Sequence, residues 1–315
     1  MYTVDNFING KSDSTSSKSS KIINPSYGKD IGEVLYASKE SANTAINAAS
    51  EAFKTWSKTG MSYRAELILK FRQGVIDKSS EIVDICIKEA GKTKPDAEAE
   101  LDRAIQALTH ASGIQHFYPA HISRNVAGNI DIADMRYPIG VVAGVGPFNF
   151  PILIPILHSS MALVTGNTHI AKPSEKVPSI SRLYADIYKD VGLPDGCYNV
   201  INGGKDIVEY IVSHQKVDGL AFIGSTNAAR SLKSLGVKNN TKVQALGGGK
   251  NHMIVLPDAD LDMAADAAVS ASFGAAGQRC MALSVVVAVG DIADELVSKI
   301  KERIPNIKMG VTDNN

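Results

Sequence analysis

Val141-Val142-Ala143-Gly144-Val145-Gly146-Pro147-Phe148-Asn149-Phe150-Pro151 is a short apolar run that passes into a loop stiffened by prolines. A run this short, stopped by Gly and Pro, reads as a buried strand. The wider stretch from Ile139 to Leu157 is apolar enough to suggest a membrane span. Pro147, Pro151, Pro155 and Asn149 interrupt it, so it is better read as a strand followed by a loop. Downstream, helical and strand-like segments alternate. The helices are Ile156 to Leu163 (closed by Gly166-Asn167), Ser179 to Val191, Ile207 to Ser213 and Ala228 to Leu235. The strands are His169 to Lys172, Val200 to Asn202, Gly219 to Ile223 and Lys242 to Leu246. This spacing predicts an α/β fold with a doubly wound parallel sheet, which binds ligands beyond the carboxyl ends of its strands.

Those strand ends carry the residues of interest. Asn149 offers an amide donor beside Gly146 and Phe148, able to stabilise a developing oxyanion or simply to close its own turn. Lys172-Pro173-Ser174-Glu175-Lys176 places a lysine and a glutamate three residues apart at a strand end, where both can reach ribose hydroxyls or form a surface ion pair. Phe222-Ile223-Gly224-Ser225-Thr226 opens a helix with a glycine and hydroxyls, a phosphate-binding arrangement or an ordinary cap. The G-x-G-x-x-G fingerprint is absent. Leu246-Gly247-Gly248-Gly249-Lys250-Asn251 lets backbone approach a flat ligand.

Beyond this block, Ser272-Phe273-Gly274-Ala275-Ala276-Gly277-Gln278-Arg279-Cys280 places a cysteine after small residues and directly after a cation. It lies between a helix, Met263 to Phe273, and a strand, Ser284 to Val289. Positive charge and backbone N–H groups favour a thiolate, although most lone cysteines are small buried hydrophobes. Upstream, apolar residues at Ala45, Ile46, Ala49, Phe53 and Trp56 predict a helix capped by Ser41. Further helices are expected near Tyr63 to Lys78, Glu81 to Ala90 (ended by Gly91) and Pro95 to His110. Arg103 on the last would pair with Glu100 or Asp102. Residues 11 to 20 read as a polar turn between short strands. A hairpin is expected from Ile122 to Val126 and Ile130 to Tyr137, turning at Ala127-Gly128-Asn129.

Across 315 residues, 33 Lys plus Arg balance 33 Asp plus Glu, which gives no nucleic-acid or membrane footprint. Cys86, Cys197 and Cys280 are odd in number and widely spaced, so neither a disulfide framework nor a metal site is expected. The start, Met1 to Gly10, has no secretory pattern, and a cytoplasmic setting is expected.

Taken together, Gly146 to Pro151, Lys172 to Glu175, Phe222 to Thr226, Leu246 to Asn251 and Gly277 to Cys280 resemble the aldehyde dehydrogenase superfamily. Gln278-Arg279-Cys280-Met281-Ala282 with Gly249-Lys250-Asn251-His252 is most similar to its CoA-acylating methylmalonate-semialdehyde (malonate-semialdehyde) branch. The resemblance implies an NAD-binding domain at 1–118 and 139–245, a hairpin oligomerisation arm at 119–138, and the start of a truncated catalytic α/β domain at 246–315. It implies Cys280 as nucleophile, with Asn149 and the Cys280 N–H holding the oxyanion. Gly146, Phe148, Lys172, Glu175, Lys176, Gly224, Ser225 and Gly247 would bind NAD. Arg103 and Arg279 would bind the substrate carboxylate.

The expected reaction oxidises methylmalonate or malonate semialdehyde, with coenzyme A as co-substrate, to propionyl-CoA or acetyl-CoA and CO2, in a homo-oligomer (dimer or tetramer). Hydrolytic members of the family carry a glutamate where Leu246 stands, and leucine cannot activate water. Leucine also departs from the polar residue usual in the acylating branch, and Ala229 replaces a usual glycine. A hydrolytic dehydrogenase with an unusual base, and a truncated, catalytically silent nucleotide-binding chain, are the alternative readings.

Overall fold

A computed structural model of the chain describes residues 1–16, 18–118 and 120–312. Its first strands are β1 (Tyr2–Val4), β2 (Asn6–Ile8), β3 (Lys11–Asp13), β4 (Ser19–Asn24) and β5 (Lys29–Leu35). Helices α1 (Lys39–Trp56), α2 (Met61–Asp77), α3 (Ser79–Ala90) and α4 (Lys94–Ser112) follow, then the short strands β6 (His121–Ser123) and β7 (Ile132–Asp134). The alternating block is β8 (Val141–Val145), α5 (Leu153–Val164), β9 (Thr168–Lys172), α6 (Ser179–Asp190), β10 (Tyr198–Val200), α7 (Lys205–Ser213), β11 (Gly219–Ile223), α8 (Thr226–Lys238) and β12 (Lys242–Leu246). It is followed by β13 (Asn251–Val255), α9 (Leu261–Phe273), β14 (Leu283–Ala288) and α10 (Ala293–Arg303).

The main sheet has the order β12-β11-β8-β9-β10-β2-β3. Its first five strands are parallel, as expected. The edge differs: β2 and β3 join antiparallel, so the sheet is mixed. Among the parallel strands the chain starts at β8, steps outward through β9 to β10, then returns to the other side of β8. This reversal between β8 and β11 is a topological switch point, where a crevice opens.

Alternation along β8 sends Val141, Ala143 and Val145 into a core shared with α1, α7 and α8. The opposite face packs on α5 and α6, with α2, α3 and α4 outside them. Trp56, Phe71, Tyr184 and Tyr188 fill that larger core. Glycine at 144 leaves space on this second face for two imidazoles. A Cβ there would lie 2.7 Å from His169 Cε1 and 2.8 Å from His158 Nδ1. Burial pushes these rings down, to about 3 for His169 and about 4 for His158.

Several local expectations shift. The cap of α1 is Ser38, whose Oγ accepts from the Ser41 N–H at 3.0 Å, one turn before the expected residue. Pro155 does not break α5, because it stands in the first turn, where its missing N–H has no intrahelical partner. Part of the expected polar turn at 11–20 is strand, since β3 pairs with β2 and β4 begins at Ser19; Ser17 lies outside the described residues. Strand β10 ends at Val200, and the Asn202 N–H turns away to Asn6 Oδ1 at 2.8 Å. The hairpin strands are shorter than expected, and Pro119 at the start of that arm lies outside the described residues. Every residue of β6 and β7 is exposed, and among the described residues no third strand pairs with them.

Candidate active site

Four strand ends stand level at the crevice. In register, Val145 pairs with Lys172 and with Phe222, and Ile223 with Leu246. The backbone stays tied one residue further, through Gly146 N–H to Lys172 O and Gly224 N–H to Leu246 O, both at 3.1 Å. Beyond these ends lies a cleft of about 1000 Å³.

Gly146, Phe148, Asn149, Lys172, Glu175, Gly224, Ser225, Gly247, Arg279 and Cys280 all line it. Lys172 is buried, and desolvation lowers its pKa against the opposing pull of Glu175, whose Oε2 is 3.4 Å from Nζ. Ser225 caps α8, its Oγ accepting from the Ala228 N–H at 3.3 Å, and Ser225, Asn227 and Ala228 line the cleft, so the N-terminus of that helix borders it. Thr226 Oγ1 accepts from the Gly248 N–H at 3.2 Å, which brings the glycine loop over the same helix end.

Two expected residues stand elsewhere. Lys176 is not in the lining; its ammonium lies 4.9 Å from the centre of the Phe148 ring and braces that side chain from behind. Arg103 is exposed on α4, outside the lining, and donates from Nη1 to Gln106 Oε1 at 3.0 Å rather than to Glu100 or Asp102. Glu100 points inward instead. Its Oε2 is 2.6 Å from Lys92 Nζ, and its Oε1 accepts from the N–H groups of Ile152 and Leu153.

Cys280 is exposed, whereas burial raises the thiols of Cys86 and Cys197 to about 12. The cysteine loop is held by side chains from three directions. Asn149 Nδ2 donates to Gln278 O at 2.8 Å. Arg279 Nη2 donates to Asp96 Oδ1 at 2.6 Å, so its charge is already partnered rather than free beside the thiol. Asn251 Nδ2 donates to both Cys280 O and Ala282 O at 2.9 Å. Just before, Ala275, Ala276 and Gly277 all have positive φ (52°, 53° and 72°), a left-handed turn that is costly for the two alanines.

Sequence reasoning missed Asn251, Asp96, Glu100 and the α7 residues Lys205, Val208 and Glu209 that complete the cleft wall. Only Asn251 had a signal, lying in a stretch already singled out.

The model of the aldehyde dehydrogenase family matches residues 12–315. The chain belongs to the aldehyde dehydrogenase family. A malonate-semialdehyde dehydrogenase of Geobacillus kaustophilus is 40% identical over 309 residues, covering 98% of this chain and 64% of that protein. The crystal structure of a methylmalonate-semialdehyde dehydrogenase from Oceanimonas doudoroffii superposes with a TM-score of 0.96 at 39% identity. That alignment covers 100% of this chain and 65% of the other. A Sinorhizobium meliloti 1021 protein named for the same dehydrogenase, solved with NAD, gives 0.95 at 37% identity, covering 100% of this chain and 64% of its own. The chain therefore has the α/β fold of aldehyde dehydrogenases and spans about 64% of the length of the curated relatives it matches. Among its described residues, no helix is long and apolar enough to cross a membrane.

Proposed function

We propose that this aldehyde dehydrogenase chain oxidises a short semialdehyde bearing a carboxylate, with NAD as hydride acceptor and coenzyme A as the thiol that releases the product. The observation that carries the reading is the exposed Cys280 thiol on the wall of a switch-point cleft, with the Asn149 amide tied to its loop. The residues present fit a dinucleotide. Gly224 and the open α8 N-terminus suit a pyrophosphate, and Lys172 with Glu175 suits a ribose diol. When bound, NAD accepts the hydride.

The chain's own groups do the rest. The Cys280 sulfur attacks the aldehyde carbon, and an oxyanion develops. The Asn149 Nδ2–H and the Cys280 backbone N–H donate to it, which lowers the barrier because charge forms where donors are fixed. Oxidation leaves a thioester on Cys280. Leu246, in the cleft lining, stands where hydrolytic members of the family carry a glutamate, and leucine cannot activate water, so CoA thiol is the favoured nucleophile, displacing the Cys280 thiolate to give acyl-CoA. Arg279 would receive the substrate carboxylate through parallel N–H donors. Decarboxylation of the malonate skeleton would then give acetyl-CoA, or propionyl-CoA from the methylated substrate, with CO2. In the same reading, 1–118 and 139–245 carry the cofactor and 246–315 the catalytic side. The exposed hairpin within 119–138 would contact a second copy, in a cytoplasmic enzyme.

NADH formation from malonate semialdehyde, measured with and without CoA, tests the reading. Turnover that requires CoA is expected. Equal turnover without CoA, yielding free acid, would replace it with a hydrolytic mechanism. NAD binding with no turnover would leave a nucleotide-binding chain.

A further inference from the structure

Arg279 precedes Cys280 and lines the cleft, yet its guanidinium is already engaged by a carboxylate of this chain. Asp96 stands in the first turn of α4, where a negative charge also meets the positive end of the helix. Its own backbone N–H is capped by Thr93 Oγ1 at 3.3 Å, so the carboxylate is held by a formed helix end rather than by a loose loop. On the other side the guanidinium lies across Gly274. A Cβ at that position would come within 2.7 Å of Nη1 and 2.8 Å of Cζ. Arg279 thus has a fitted seat, with a missing side chain on one side and an aspartate on the other. The pair is partly shielded, with side chains 30% and 24% exposed.

We propose that Asp96 is a specificity-determining residue, a resident carboxylate that occupies Arg279 and with which an anionic ligand must compete. The inference rests on the reading of Arg279 as the substrate-carboxylate ligand. Guanidinium has five donors, and Asp96 takes one, at Nη2. An incoming carboxylate is therefore attracted by Arg279 and repelled by the Asp96 charge that Arg279 already holds. A neutral ligand meets neither force. Asp96 accordingly lowers the preference of the cleft for anionic over neutral aldehydes, and sets how strongly a carboxylate must bind before Arg279 turns to it. Asparagine in its place keeps an oxygen to accept the guanidinium N–H and removes only the charge.

The test uses two alkylating agents that differ in charge, iodoacetate and iodoacetamide. With either, the Cys280 sulfur forms a bond to the methylene carbon and iodide leaves. Cys86 and Cys197 are buried and stay unmodified in the native protein, which mass spectrometry of the labelled chain verifies. Asp96→Asn is expected to raise the iodoacetate rate constant about tenfold while leaving iodoacetamide within about twofold. Asp96→Glu keeps the wild-type ratio, and Arg279→Gln added to Asp96→Asn removes the gain. An unchanged ratio in Asp96→Asn, or equal acceleration of both reagents, overturns the proposal; the second result would mean that the loop has merely loosened. The readout needs no NAD and no turnover. A chain that gains iodoacetate selectivity but never forms NADH keeps Asp96 in this role and loses the oxidation reading. Turnover with an unchanged ratio does the reverse.

Discussion

Replacing Glu100 with leucine is expected to cost about 4 kcal/mol of folding free energy, although the site is far in sequence from the loop it secures. The carboxylate is 1% exposed and 2.6 Å from Lys92 Nζ, itself 7% exposed. Its other oxygen accepts from the Ile152 and Leu153 N–H groups at 2.8 and 2.9 Å, a cap for α5 supplied from another helix. Burial holds the carboxyl above the usual range, and Lys92 with the two N–H groups offsets only part of that rise. Removing it strands a buried ammonium, a loss of about 3–5 kcal/mol, and leaves two amides without an acceptor at about 1 kcal/mol each. Apolar burial of leucine offsets about 2 kcal/mol. Urea denaturation reads the difference, and in a chain of this size the midpoint temperature falls by about 6 °C. Lys92 also sits 4.3 Å over the Phe150 ring, so the pair holds the C-terminal side of the loop that carries Asn149. If the two groups act as a unit, Lys92→Met with Glu100→Leu is less destabilised than the single losses combined. Single losses that simply add, with coupling below about 0.5 kcal/mol, would refute the reasoning.

Acid should weaken the fold before carboxylates titrate. Both ring nitrogens of His169 are buried without a partner among the described residues, and its folded pKa of about 3, like the value of about 4 for His158, lies below the ordinary 6.5. Between pH 6.5 and about 4 the unfolded chain therefore binds more protons, and stability falls as pH falls, by about 2 kcal/mol per histidine at pH 5. Unfolding free energies at pH 7.5 and pH 5 check this, and a flat profile would contradict the burial. At the site, Cys280→Ala is expected to abolish NADH formation while changing stability by less than about 0.5 kcal/mol, since the side chain is exposed. Asn149→Ala should lower the turnover rate about a hundredfold, read by single-turnover NADH formation beside a thermal melt.

The parallel sheet was legible because the strands from Val141 to Leu246 are short apolar or alternating stretches bounded by turn residues, and the helices between repeat at helical spacing. The cleft was legible for the same reason, since level strand ends bring Gly146, Lys172, Gly224 and Gly247 together once the strand order is set. Long-range side-chain partners were not legible. Nothing near Arg279 in sequence points to Asp96, and nothing near Glu100 separates an inward carboxylate from an outward one. Arg103, a few residues along the same helix, faces solvent. The left-handed turn at Ala275 and Ala276 also runs against local preference, and only the tethers around it explain why it persists.

Those tethers distinguish two asparagines that look alike in sequence. A side-chain amide has two N–H donors. Asn251 spends both, on Cys280 O and Ala282 O, so it fixes the loop and has none left for a ligand. Asn149 spends one, on Gln278 O at 2.8 Å, and lines the cleft. That bond sets the plane of its amide, and the second N–H has no partner among the described residues. Of the two, Asn149 alone combines a fixed orientation with an unspent donor, which is what a developing oxyanion requires. The same bond ties the donor to the Cys280 loop, so amide and sulfur move together. In the proposed mechanism, catalytic geometry therefore depends less on the rigidity of either strand than on the carbonyl of Gln278, an exposed residue whose side chain can vary without altering that bond.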